Sequence, residues 1–169
     1  MTYHLEILKE GQTAIFTDGA KTEKGTGAGI YCEQLQVEES YKLQDTCSVL
    51  QAEILAIEKA ATLSNVEGTQ AKVCIYTDSQ AALKTLASRL TRSKAVMSCR
   101  EALSWIRNSE VRLCRVPGHS DVEGNNKADK LAKLGAEKEN IAACELPKPT
   151  IKVIRIAVDN AIKEMHSKR

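Results

Sequence analysis

A chain of 169 residues with 43% hydrophobic residues can bury one substantial core without disulfide staples. No apolar run approaches the ~20 residues of a membrane span, and the opening "MTYHLEILKEGQ" has no apolar signal core, so the expectation is an intracellular protein, nuclear or cytoplasmic, with no membrane partner. The net charge of +2 conceals an asymmetry: the balance is −6 over residues 1–78, +6 over 79–118 and +2 over 119–169.

In chain order, residues 13–18 (TAIFTD) read as a first strand, 28–33 (AGIYCE) as a second and 37–43 (VEESYKL) as a third. The short turns between them suggest an antiparallel meander. The period then changes. Residues 48–63 (SVLQAEILAIEKAATL) read as a helix, with Ser48 and Gln51 placed for a capping box. Leu50, Ile54, Ile57 and Ala61 form its apolar stripe, and Glu53 falls at the stripe's edge. A strand over 71–77 follows, then a helix over 80–90 with Ser79 as its cap, a helix over 95–107 with Trp105 in the core, and a strand over 110–118 ending at Pro117-Gly118. The loop 118–126 (GHSDVEGNN) leads into a helix over 127–139 that carries Asp129 about one turn in, and after two prolines a basic helix is expected from 151. This order implies one α/β domain with a mixed sheet, antiparallel at one side and parallel at the other.

Six cysteines, at 32, 47, 74, 99, 114 and 144, form no C-x-x-C pair, and only three histidines accompany them. Reduced, mostly buried thiols are expected rather than a zinc site.

The chemistry lies in the carboxylates. "AIFTDGA" (14–20) and "VCIYTDSQ" (73–80) share the order Ile, aromatic, Thr, Asp, small residue. In strand alternation Phe16 and Asp18 point one way, as do Tyr76 and Asp78. Each Asp stands at a strand's C-terminal end, where sites of such sheets lie. Like charges side by side require shifted pKa values or a bound cation. A cluster of Asp18, Glu53, Asp78 and Asp129 without histidine or thiolate ligands suits Mg²⁺ or Mn²⁺, and two such ions form the clamp of in-line phosphoryl displacement. The basic stretch 79–118 offers a place for a polyanion.

"FTDG", "QAE", "YTDSQAAL" and "VPGHSDVEGNNKADKLAK" recur in that order over residues 13–136. The set resembles the type 1 ribonuclease H domain, and the wording "SVLQAE" and "GHSxxEGNxxAD" is most similar to the domains of non-LTR retrotransposon polyproteins. The resemblance implies a ribonuclease-H-like five-stranded mixed sheet with helices on both faces. It implies a domain over 1–144 and a C-terminal extension over 145–169. It implies that Asp18, Glu53, Asp78 and Asp129 hold two Mg²⁺ ions, with Mn²⁺ as a substitute, and that the RNA strand of an RNA–DNA hybrid is hydrolysed to a 5′-phosphate and a 3′-hydroxyl. His119 falls on the family's loop histidine, which assists proton transfer or product release. Gln80 falls on a position that touches the minor groove, and Gly19 on one where backbone approaches substrate. The segment between Asp78 and His119 is too short for the basic protrusion by which some members grip the DNA strand, and Arg89, Arg92 and Lys94, with Arg100, are expected to supply part of that grip. The expected state is a monomer, fused to or associated with a reverse transcriptase.

The chain departs from the family's cellular enzymes at Val49 and Leu50, which stand where those enzymes carry polar, hybrid-contacting residues. Some hydroxyl-reading contacts are therefore missing, and a catalytically silent module that binds nucleic acid or protein is the alternative reading.

Overall fold

The computed structural model describes residues 11–65, 72–106, 110–118 and 121–139. His119, Cys144, the expected helix from 151 and the extension over 145–169 lie outside them. The strands are β1 (Gln12–Thr22), β2 (Gly25–Cys32), β3 (Val37–Leu43), β4 (Lys72–Thr77) and β5 (Glu110–Arg115). The helices are α1 (Val49–Leu63), α2 (Gln80–Ala87), α3 (Lys94–Ser104) and α4 (Glu123–Glu137). The five strands form one mixed sheet in the order β3-β2-β1-β4-β5, with β1–β2 and β2–β3 antiparallel and β1–β4 and β4–β5 parallel.

Alternation along the strands divides the core between two faces. Ile15, Ile30, Val73 and Ile75 pack with Ile54, Ile57, Leu86, Val96 and Cys99, so α1, α2 and α3 cover one face. The other face of β1–β3 carries α4, whose Ala128, Ala132 and Ala136 are fully buried. The capping box of α1 forms as expected: Gln51 N donates to Ser48 Oγ at 3.2 Å and Ser48 N to Gln51 Oε1 at 2.8 Å.

Five expectations are corrected. The strand expected over 13–18 runs on to Thr22 in its ladder with β2, so Asp18 lies inside β1 and ends only the parallel pairing with β4. The helix expected over 80–90 ends at Ala87, because the Arg100 guanidinium takes the carbonyls of Thr85, Leu86 and Ser88 and closes the turn there. Helix α4 begins at Glu123 rather than 127, which puts Asp129 nearly two turns in. Gly124 and Asn125 are poor helix formers, but Gly124 fits under the Phe16 ring, where any Cβ would collide, and this packing overrides propensity. Leu50 is 37% exposed and lies outside the stripe of α1, which instead buries Ala52 through Ile57, Ala60 and Ala61. Trp105 is 55% exposed: α3 turns Ala95, Val96 and Cys99 inward, and Trp105 occupies the C-cap beyond that stripe.

Of the described cysteines, Cys32, Cys47, Cys74 and Cys99 are buried and Cys114 is half-buried, all as free thiols. No helix among the described residues is long and apolar enough to cross a membrane.

Candidate functional site

Strands β1 and β4 are laddered from Gln12↔Lys72 to Phe16↔Tyr76. The Phe16 and Tyr76 rings stack at 4.9 Å. One residue further the ladder stops, and the fully buried Thr17 donates through Oγ1 to Tyr76 O at 2.9 Å. The sheet's connectivity reverses between these strands, with β1 antiparallel to β2 and parallel to β4. That is the place where open α/β sheets form binding crevices. Asp18 and Asp78 follow Thr17 and Thr77 directly into it.

Glu53 reaches the same point from α1. A Cβ built on Gly19 would lie 2.7 Å from Glu53 N and 3.0 Å from the Cβ of Ala52, so only a glycine lets this turn of α1 press against β1. The room that Gly19 leaves is thus taken by the helix. Thr77, fully buried, donates through Oγ1 to Glu53 Oε2 at 3.5 Å and accepts from Ser79 N at 3.1 Å. Carboxylate oxygens of Asp18, Glu53 and Asp78 lie within 4.8 Å of one another.

Asp129 adjoins this trio at Asp18, near enough for its charge to help raise the Asp18 carboxyl. Its Oδ2 accepts from Lys133 Nζ at 2.7 Å, a bond between residues one turn apart on α4. It is not one of the three residues whose oxygens converge.

Burial dominates the electrostatics. It pushes the Asp18 carboxyl up to about 7, with the charges of Asp78 and Asp129 adding to the rise. It pushes Glu53 up to about 9, with Asp18 and Asp78 adding to it. Both groups are about 5% exposed or less, so water cannot relieve the repulsion. Such a set of oxygen donors fits a hard divalent cation, which would replace the protons and cancel the repulsion.

The other expected positions are dispersed. Gln80 is exposed on the first residue of α2, next to the Ser79 cap. Arg89 and Arg92 are exposed in the turn between α2 and α3, and Lys94 is exposed as the first residue of α3. Arg100 is occupied with the carbonyls that end α2. A Cβ on Gly118 would lie 3.6 Å from Asp78 Oδ2, so the chain leading to His119 passes beside the site. Sequence reading missed Thr77 as the hydroxyl partner of Glu53. The repeated "TD" of both strands was its available signal.

The fold and the carboxylates define an α/β protein with a buried acidic centre able to hold divalent cations. The RNase H family model matches residues 10–137, more than half of the chain. The chain therefore belongs to the RNase H family, whose members are nucleic-acid-binding hydrolases.

Proposed function

We propose that this protein hydrolyses the RNA strand of RNA–DNA hybrids by in-line attack of water, leaving a 5′-phosphate and a 3′-hydroxyl. The convergence of Asp18, Glu53 and Asp78 within 4.8 Å carries this reading. Asp18, Glu53 and Asp78 would hold two Mg²⁺ ions, with Asp129 completing the set from α4. When bound, the ions supply the charge that stabilises the attacked phosphate and the acidity that turns water into a nucleophile.

The chain's own residues divide the remaining work. Asp18 and Glu53 surrender their protons as the site fills. Gly19 and Thr77 keep Glu53 against Asp18. Gln80 is assigned contact with a base edge in the minor groove, and Arg89, Arg92 and Lys94 are assigned contact with the backbone. His119 is assigned proton transfer toward the leaving oxygen or release of the product, and the position of Gly118 beside Asp78 supports that assignment. Selectivity for the hybrid rests on minor-groove shape and 2′-hydroxyl contacts. The motif wording further suggests a domain of a retrotransposon reverse transcriptase polyprotein or a domesticated copy of one.

The test is hydrolysis of a labelled RNA–DNA hybrid in Mg²⁺, beside single-stranded RNA, duplex RNA and duplex DNA, with Asp78→Asn in parallel. Cleavage of the hybrid's RNA alone, lost in Asp78→Asn, is the expected result. A chain that binds the hybrid but cuts it in neither Mg²⁺ nor Mn²⁺ would instead be a silent binding module.

A further inference from the structure

An acidic site that receives a polyanion needs cations at its rim, and several of the described cations are engaged elsewhere. Arg112 is paired with Glu110 at 2.7 Å. Arg100 closes the α2–α3 turn. Lys133 is held by Asp129, Lys127 by Glu123 and Tyr31, and Lys42 is buried against carbonyls. Arg89, Arg92 and Lys94 lie beyond the far end of α2, about 12 Å along its axis from Asp78.

Arg115 is different. It is the last residue of β5 and pairs in register with Thr77, the residue before Asp78. It shares a strand face with Leu113, which packs against the core beneath α2 and α3. Arg115 therefore emerges at the end of the sheet on the α2 side, toward Gln80. It is exposed, and its side chain makes no hydrogen bond or ion pair with any described residue. A guanidinium so placed can take a phosphate in a two-pronged hydrogen bond.

We propose that Arg115 binds a backbone phosphate of the cleaved strand beside the one under attack, and so sets the strand's register across the carboxylates. This rests on the function proposed above, and the experiment separates the two. Hybrid affinity is measured by fluorescence anisotropy over a KCl series in Mg²⁺, with the full chain carrying Asp78→Asn, alone and with Arg115→Gln, Arg115→Lys or Arg112→Gln. Steady-state cleavage is measured with the same substitutions in the active chain. Arg115→Gln is expected to weaken binding roughly tenfold and to reduce the salt slope by about 1. In cleavage its effect falls on KM. Arg115→Lys should recover the slope with part of the affinity, and Arg112→Gln should match the parent. Unchanged affinity and slope in Arg115→Gln, or an equal loss in Arg112→Gln, overturns the assignment of Arg115 while leaving the proposed function standing. Failure of the parent chains to bind or cut the hybrid overturns the function, and this inference with it.

Discussion

The backbone nitrogen of Glu53 stands where a side chain on Gly19 would begin, 2.7 Å from the position of the missing Cβ. The acid on the helix and the acid on the strand meet because residue 19 has no side chain. Gly19→Ala must push α1 outward or distort β1. A loss of about 1–3 kcal/mol in stability is expected, the usual cost of overpacking. Hydrolysis should fall further than unfolding explains, because Glu53 moves with the helix. Urea denaturation beside hybrid cleavage, both on the same preparation, checks this. Full activity at reduced stability would refute it.

Thr77 offers a cleaner perturbation. Thr77→Val keeps the shape and removes the hydroxyl that links Glu53 to the Ser79 N–H. A cost of about 1 kcal/mol is expected from the unmade bonds, together with weaker divalent-ion binding by calorimetry. Thr77→Ser should restore ion binding even where it does not restore packing. Equal ion affinity in all three proteins would show that the hydroxyl does not position Glu53.

The raised carboxyls predict how stability depends on pH. Asp18 moves from 3.8 to about 7 and Glu53 from 4.5 to about 9 in the cation-free fold. Between those limits the folded chain holds more protons than the unfolded one, so the unfolding free energy falls as pH rises. Stability from these groups is therefore complete below about pH 4 and is lost progressively up to about pH 9. Thermal unfolding in EDTA should show this decline beyond that of an Asp18→Asn/Glu53→Gln chain. A divalent cation should raise the melting temperature more at pH 8 than at pH 5. Parallel profiles for parent and double variant would contradict the shared burial of the two acids.

The same repulsion predicts a trade of stability against activity. Asp18→Asn removes a buried acid whose charge, without a cation, is met only by the Gly19 N–H at 2.9 Å among the described residues. In EDTA at pH 8 this variant should melt above the parent, and in Mg²⁺ the order should reverse as the parent gains its ions. Hybrid cleavage should be abolished throughout. A variant less stable than the parent in EDTA would mean that Asp18 is held by bonds rather than opposed by its neighbours.

Much of this was legible in the residues. The two "TD" strands announced paired acids in phase, and the capping box of Ser48 and Gln51 located the helix that brings Glu53. What escaped was set by tertiary contact. Gly124 looks like loop because a glycine disfavours helix, yet the Phe16 ring requires one inside α4. Leu50 fits the helical period but faces outward, because the stripe of α1 is centred on Glu53 and Ala56. Trp105 reads as core from its helical neighbours Ala102 and Ile106, but α3 ends at Ser104 and leaves it exposed at the C-cap. The role of Gly19 was readable as close approach, and which neighbour approaches was not.

At Gly27 and Gly29, helix α4 meets β2 with no β2 side chain between them. A Cβ on Gly27 or Gly29 would strike the helix backbone at Ala128, Ala132 or Ala136, and Gly29 is the register partner of Asp18. The gap between Asp18 and Asp129 is thus gauged by the thickness of two peptide backbones. Side-chain size, the usual adjusting screw between a helix and a sheet, is already at its lower stop here. Substitution can widen this side of the site, and none can narrow it.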